Sequence, residues 1–298
     1  MYSRILVPLD GSPAAEQVLP LTKAIAEQFH SSVILFRAIA PLHDAPSKGR
    51  PRVDADKQIE LSRWAALEYL QAIGRDFAAC DIPAECQTEV GSPAWTILDF
   101  AQIEHVDLIA LTTHGRTGGH RSEYGRVADR VVHAARVPSL VVRASDVPSA
   151  AAPITRILVP LDGSVLAERA LEPARQLAAA FHAELLLLRV WQDPVYSEVP
   201  EAVLDEMERQ ARRAAEGYMK AAVLKAKDWN VSVNAESHLG PVAERIVETA
   251  KERSAGLIVM SSHGRSGLGR WVMGSVTDRV LAASPVPVLL IRAVQPSK

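Results

Sequence analysis

The chain has 298 residues, about twice a common domain length, and 48% of them are hydrophobic, so two domains with separate cores are expected. The 33 lysines and arginines nearly balance the 35 aspartates and glutamates, which leaves a formal net charge of −2. This balance gives no electrostatic basis for binding nucleic acid or an anionic membrane, and no apolar run approaches the roughly 18 residues needed to span a bilayer. We therefore expect a cytoplasmic protein without nucleic-acid or membrane partners.

The first half of the chain alternates between short apolar runs and helical patterns. Ile5–Leu9 predicts a strand buried on both faces, and Ser12 with Pro13 begins a helix that runs to about His30. An irregular stretch from Ala40 to Asp54 is also predicted. The remaining elements predicted in this half are the strand Ser32–Arg37, the helix Lys57–Ala79, the strand Pro83–Val90, a helix from Pro93 to about His105, the strand Asp107–Leu111, the helix Val127–Ala135 and the strand Pro138–Val142. This alternation favours a parallel sheet with helices on both faces.

The second half of the chain repeats the first. The segment Arg4–Ser12 recurs unchanged as Arg156–Ser164, and the segment Thr113–Arg116 returns in similar form as Ser262–Arg265. A period near 150 residues is a domain length, so we predict domains at 1–146 and 154–298 with a linker at 147–153. The predicted elements of the second copy are the strands Ile157–Leu161, Glu184–Arg189, Val231–Glu236, Leu257–Met260 and Val286–Ile291 and the long helix Glu201–Lys227.

A glycine-rich loop joins the strand ending at Met260 to a helical pattern that opens at Ser275. Its glycines, Gly274 among them, allow positive φ and a close approach to a ligand, while a helix N-terminus offers N–H groups to an anion such as phosphate. In the alternative interpretation the loop is only a crossover, and Ser275 is an N-cap in a capping box with Asp278. If the loop and Asp162 face one crevice at the switch point of the sheet, the crevice suits a nucleotide.

The segment Ser261-Ser-His-Gly264, followed by nine residues and Gly274-Ser275, resembles the universal stress protein family. Nucleotide-binding members of that family carry Gly-x-x-Gly, nine residues and then Gly-Ser or Gly-Thr, so Ser261 replaces the first glycine. The resemblance covers nearly the whole chain as two tandem copies. It implies an α/β fold of two tandem doubly wound five-stranded parallel sheets in the order 3-2-1-4-5, in the adenine-nucleotide alpha-hydrolase-like class. It also implies ATP as the ligand, alone or with Mg²⁺.

The resemblance assigns nucleotide contacts in both copies. In the second copy these are Pro160, Leu161, Asp162, Val190, Met260, Ser261, His263, Gly264, Gly274, Ser275, Val276 and Thr277. In the first copy they are Pro8, Leu9, Asp10, Ala38, Thr112, His114, Gly115, Gly125, Arg126 and Val127. Arg126 stands where the family has Ser or Thr, and its guanidinium either clamps a phosphate or fills the space. We expect the second copy to bind more tightly.

Several of these residues also have structural interpretations. Asp10 and Asp162 could instead anchor the Asp-Gly turn or cap the helix that follows it. His114 and His263 are expected to bond backbone groups rather than catalyse. Trp191 has no aromatic counterpart in the first copy, so packing or an interface is its expected role.

The function implied is that of an ATP-binding regulatory protein of the stress response. The loop Ser261–Ser275 contains neither a carboxylate nor a lysine, so we assign no catalytic residue and no metal site and expect at most slow hydrolysis. The alternatives are a stress scaffold without nucleotide, or a slow ATPase or nucleotidyl transferase. The apolar terminal strands Pro138–Val142 and Val286–Ile291 would expose sheet edges, so we expect the halves to pair as an intramolecular pseudo-dimer, with a homodimer also open.

Overall fold

A computed structural model of the chain describes residues 1–41, 55–113, 125–144, 153–192, 201–262 and 273–292. Contacts divide the chain into two compact units, Met1–Ala151 and Ala152–Lys298. Most of the predicted irregular stretch and linker lie outside the described residues. Among the described helices, none combines the length and the apolar character needed to cross a bilayer.

The first unit alternates strands and helices along the chain. Its elements are β1 (Arg4–Pro8), α1 (Pro13–Glu16), α2 (Leu19–Phe29), β2 (Ser32–Ile39), α3 (Ala55–Ala78), β3 (Ala84–Val90), α4 (Pro93–Ile103), β4 (Leu108–Thr112), α5 (Arg126–Ala134) and β5 (Ser139–Val142). Its strands lie in the order β3-β2-β1-β4-β5, and every pairing among them is parallel.

The second unit repeats this order. Its elements are β6 (Arg156–Pro160), α6 (Val165–Glu168), α7 (Leu171–Phe181), β7 (Glu184–Trp191), α8 (Glu201–Lys225), β8 (Val233–Leu239), α9 (Val242–Glu252), β9 (Leu257–Ser261), α10 (Ser275–Ala283) and β10 (Val288–Ile291). The strand order is β8-β7-β6-β9-β10, again all parallel. Each unit therefore has the order 3-2-1-4-5, which confirms the predicted fold class.

The central strands carry the core of each unit. Ile5, Leu6 and Val7 of β1 are fully buried, as are Ile157 and Leu158 of β6. Strands covered by helices on both faces read as continuous apolar runs instead of alternating ones, which is why these short segments were recognisable in the sequence.

The predicted helix from Ser12 to His30 is wrong in one respect, because it is two helices. α1 ends at Glu16 and α2 begins at Leu19. Pro20 lacks the N–H that would bond to the carbonyl of Glu16, and its ring would clash with that carbonyl. The second unit is interrupted at the equivalent place, between α6 and α7, where Pro173 lacks the N–H that would bond to the carbonyl of Arg169.

Candidate functional site

A cavity of about 640 Å³ in the second unit lies where β6 and β9 end. These strands are neighbours, and the chain leaves them toward opposite sides of the sheet, so this is the switch point at which doubly wound sheets bind ligands. All the residues predicted for this copy that the structure describes line this one cavity: Pro160, Leu161, Asp162, Val190, Met260, Ser261, Gly274, Ser275, Val276 and Thr277. His263 and Gly264 lie outside the described residues.

Asp162 lines the cavity and also anchors the turn after β6. Its Oδ1 accepts a hydrogen bond from the N–H of Ser164 at 2.9 Å, and the hydroxyl of Ser164 in turn accepts from the N–H of Ala167 at 3.1 Å. Between them Gly163 has φ +80°, a conformation that glycine adopts without steric cost. The turn-anchoring interpretation is therefore correct. It is compatible with ligand contact, because a carboxylate has about four acceptor positions.

The walls of the cavity beyond Asp162 are mostly apolar. Val190 and Met260 are 8% and 5% exposed, and Leu188, Val242 and Ile246 continue the lining from β7 and α9. A slot of this kind favours a planar, weakly polar ring, while the few polar groups at its ends fix the orientation of the ligand.

The N-terminus of α10 also lines the cavity. Gly274 is the N-cap, and its carbonyl accepts from the N–H of Asp278 at 3.1 Å, so Ser275 is the first helical residue. The predicted N-cap role of Ser275, with its capping box, is wrong by one position. This leaves the exposed Ser275 hydroxyl beside the N–H groups of the first turn, which have no partner within the helix and would bind an anion.

Gly274 does not take the positive φ that was expected, since its φ is −68°. A Cβ added there would lie 3.5 Å from the carbonyl oxygen of Ser262 and 3.7 Å from Oγ1 of Thr277, which are ordinary contacts. The protein would therefore accommodate a side chain. Among the described residues, the absence of a side chain at Gly274 leaves space next to the N-terminus of α10.

Both ends of the glycine loop are fixed to the sheet, although the loop itself lies outside the described residues. The N–H of Gly274 donates to the carbonyl of Ser262 at 3.1 Å. The buried hydroxyl of Thr277 lies 3.4 Å from the carbonyl oxygens of Ser261 and Ser262. These bonds hold the start of α10 against the end of β9, which places the helix N-terminus at the cavity.

The unpredicted residues of the lining include three with large polar or aromatic side chains: Arg189, Trp191 and Tyr218. Packing or an interface was the expected role of Trp191, and the structure places it in the lining instead. Arg189 and Trp191 alternate along β7 with Leu188 and Val190, so the two pairs project to opposite faces of the sheet. Tyr218 lies on α8, and its counterpart Tyr69 precedes it by the same 149 residues that separate the glycine loops, a signal that was present in the sequence.

The first unit has the same layout. Pro8, Leu9 and Asp10 lie where β1 ends, Ala38 is in β2, and Thr112 ends β4. The counterparts of Gly274, Ser275 and Val276 are at the start of α5. They are the N-cap Gly125, whose N–H donates to the carbonyl of Thr113 at 2.7 Å, then the exposed Arg126, and Val127. His114 and Gly115 lie outside the described residues.

The chain has relatives along its whole length. The sequence profile described as Universal stress protein family matches residues 1–143 and 153–292. Universal stress protein YxiE of Bacillus subtilis is 33% identical over 145 residues, covering 46% of this chain and 98% of that protein. A universal stress protein of Mycolicibacterium smegmatis is 25% identical over 290 residues, covering 97% and 96%.

A solved structure has the same overall fold. It is a universal stress protein from Archaeoglobus fulgidus DSM 4304, which matches 99% of this chain and 100% of its own with a TM-score of 0.72 at 23% identity. Together with the matches in sequence, this places the chain in the universal stress protein family, as a member with two tandem domains.

Proposed function

We propose that the second domain binds ATP, alone or with Mg²⁺, and that the protein is a stress-response regulator whose nucleotide occupancy sets its conformation or its partners. The observation that supports this most directly is that one cavity joins a carboxylate, an apolar slot and a helix N-terminus. The compartment we propose is the cytoplasm, where ATP is abundant.

The three parts of the cavity match the three parts of a nucleotide. Asp162 suits the hydroxyls or amine of a nucleoside, the slot around Val190 and Met260 suits the base, and the start of α10 suits the phosphates. The cavity volume of about 640 Å³ falls in the range typical of small-molecule sites, roughly 300–1,000 Å³.

The lining favours binding over phosphoryl transfer. Asp162 is the only carboxylate among the described residues that line the cavity, and it belongs to the turn after β6, not to the start of α10. Enzymes that transfer a phosphoryl group place metal ligands and a group that orients the nucleophile around the terminal phosphate. A slow ATPase or nucleotidyl transferase is therefore the second candidate, and a scaffold without nucleotide is the third.

The substitution Gly274→Val tests the phosphate end. Its side chain would fill the space in front of α10, so we expect ATP affinity to fall at least about tenfold, equivalent to about 1.4 kcal/mol. Thermal stability without nucleotide should change little, because the added Cβ meets its neighbours at ordinary distances. Calorimetric titration and a thermal melt measure the two quantities.

The matched control is Gly217→Val on α8, where an added Cβ meets nothing within 4 Å. We expect it to leave ATP affinity unchanged. Parent affinity in Gly274→Val would show that phosphates do not lie at this helix, and a parent protein that binds no ATP would favour the scaffold.

A further inference from the structure

A cluster of three polar side chains surrounds the turn that carries Asp162. The hydroxyl of Tyr218 on α8 donates to Oε1 of Glu168 on α6 at 2.9 Å. Nη1 of Arg189 on β7 donates at 3.3 Å to the carbonyl of Leu161, the residue immediately before Asp162. Three elements, α6, β7 and α8, therefore meet at the base of this turn.

The first unit contains the same cluster around Asp10. The hydroxyl of Tyr69 donates to Oε1 of Glu16 at 2.8 Å, and the guanidinium carbon of Arg37 lies 5.5 Å from the centre of the Tyr69 ring. Nη1 of Arg37 is 3.0 Å from the position that a Cβ on Gly11 would occupy. Arg37 thus packs directly on the Asp-Gly turn.

The two copies keep this cluster while several other positions of the site differ. Glu, Arg, Tyr and the turn Asp occupy equivalent positions in both copies, whereas the phosphate end has Arg126 in one and Ser275 in the other. The residue of the first copy that is equivalent to Trp191 is Ile39. The Asp-Gly turn is identical in both copies, whereas these positions of the phosphate end and the cavity wall differ. The turn is therefore the part of the site that accompanies the cluster in both copies.

The electrostatics keep the tyrosine a hydrogen-bond donor. Burial raises the pKa of Tyr218 well above its ordinary value, and the hydrogen bond to Glu168 and the charges of Glu168 and Asp162 raise it further, against a smaller opposing effect of Arg189. The pKa of Tyr69 is raised by the same set of causes from the equivalent residues. Each phenol therefore stays protonated throughout the physiological range and donates to its glutamate.

We propose that Glu168, Arg189 and Tyr218 are positioning residues for Asp162, which fix its turn against α8 and so aim its carboxylate at the nucleoside. This inference rests on the proposed function. A carboxylate held in advance by three packed elements loses little conformational freedom when the ligand binds, so the ligand is held more tightly.

The test is a double-mutant cycle of Tyr218→Phe and Asp162→Ala in the full chain, read by calorimetric ATP affinity. Tyr218→Phe removes one hydroxyl and keeps the ring, and we expect it to weaken binding about three- to thirtyfold in the parent, the range for residues that act through a neighbour. In the Asp162→Ala background it should have no further effect. A direct contact of the Tyr218 hydroxyl with the ligand would give equal losses in both backgrounds, because it does not act through Asp162.

The control is Tyr2→Phe, the same substitution at a buried tyrosine of the first unit, which should leave the affinity of the second domain unchanged. Equal losses in the two backgrounds, or parent affinity in Tyr218→Phe, would overturn the positioning role. If Asp162→Ala still weakens binding in that case, the proposed function stands. Parent affinity in Asp162→Ala itself would instead contradict the proposed function. If Tyr218→Phe does not fold, Glu168→Ala takes its place in the cycle, with the same expected result.

Discussion

At the scale of single residues, Gly256 is required for a steric reason that has nothing to do with its φ. It precedes β9 and donates its N–H to the carbonyl of Arg156 at 2.9 Å. A Cβ there would lie 2.9 Å from both Cα of Ile154 and the carbonyl oxygen of Pro153. Because both neighbours are backbone atoms, they cannot rotate away.

We therefore predict that Gly256→Ala lowers the free energy of unfolding by about 1–3 kcal/mol, the usual cost of forcing an extra methyl into packed structure. The control is Gly74→Ala in α3, where the Cβ would make an ordinary 3.5 Å contact with Sγ of Cys86. It should be neutral or gain up to about 1 kcal/mol from helix propensity. Denaturant unfolding compares the two, and a Gly256→Ala midpoint equal to that of the parent would contradict the clash.

At the scale of secondary-structure elements, Glu184 links the starts of three neighbouring strands through side-chain hydrogen bonds. It begins β7 and accepts hydrogen bonds from Asn234 of β8 and from Arg156 of β6, the latter at 2.8 Å. The bond from Asn234, followed by the bond and charge of Arg156, holds the pKa of the carboxyl below its ordinary value of about 4.3.

A carboxyl whose pKa is lowered by folding stabilises the folded state fully above its unfolded pKa, and that contribution is lost as the pH falls through the folded pKa. We expect the Tm of the parent to fall more steeply below about pH 4.3 than the Tm of Glu184→Gln. Thermal melts between pH 3 and pH 7 measure the difference. Parallel profiles for the two proteins would show that the carboxylate does not stabilise this end of the sheet.

The elements also show which parts of the site a sequence can reveal. The repeated strands, the Asp-Gly turn and the helix start near Ser275 were predictable because each is encoded locally, by an apolar run or by a fixed spacing. The break between α1 and α2, before Leu19, was not predicted, because the apolar spacing continues across it. The only local sign of the break is Pro20, which lacks an N–H.

The contributions of Arg189, Trp191 and Tyr218 were not predictable from motifs for a different reason. Whether these residues reach the cavity depends on where β7 ends beside it and on how α8 packs over the sheet. Both are properties of the assembled unit. Only the recurrence of Tyr69 as Tyr218 at the period of the repeat recorded the position of the tyrosine in the sequence.

At the scale of the whole molecule, the two domains keep one fold and differ in the chemistry of the phosphate end. Hydrogen bonds to a charged group contribute about 1.5–3 kcal/mol each, so under the proposed function the absence of the Ser275 hydroxyl would weaken binding roughly tenfold to a hundredfold. Arg126 offsets this only by ordering a long exposed side chain, which costs about 1.5–2 kcal/mol. The second domain should therefore hold ATP more tightly than the first.

Calorimetric titration of the full chain with ATP tests this claim most directly, with Asp10→Ala and Asp162→Ala made separately. The two substitutions are matched, because each removes a carboxylate that accepts from a serine N–H in its own turn, at 3.0 Å and 2.9 Å. The account predicts that Asp162→Ala converts the tighter binding event into a weaker one and that Asp10→Ala leaves it intact. Loss of the tighter event in Asp10→Ala, with its retention in Asp162→Ala, would contradict the account.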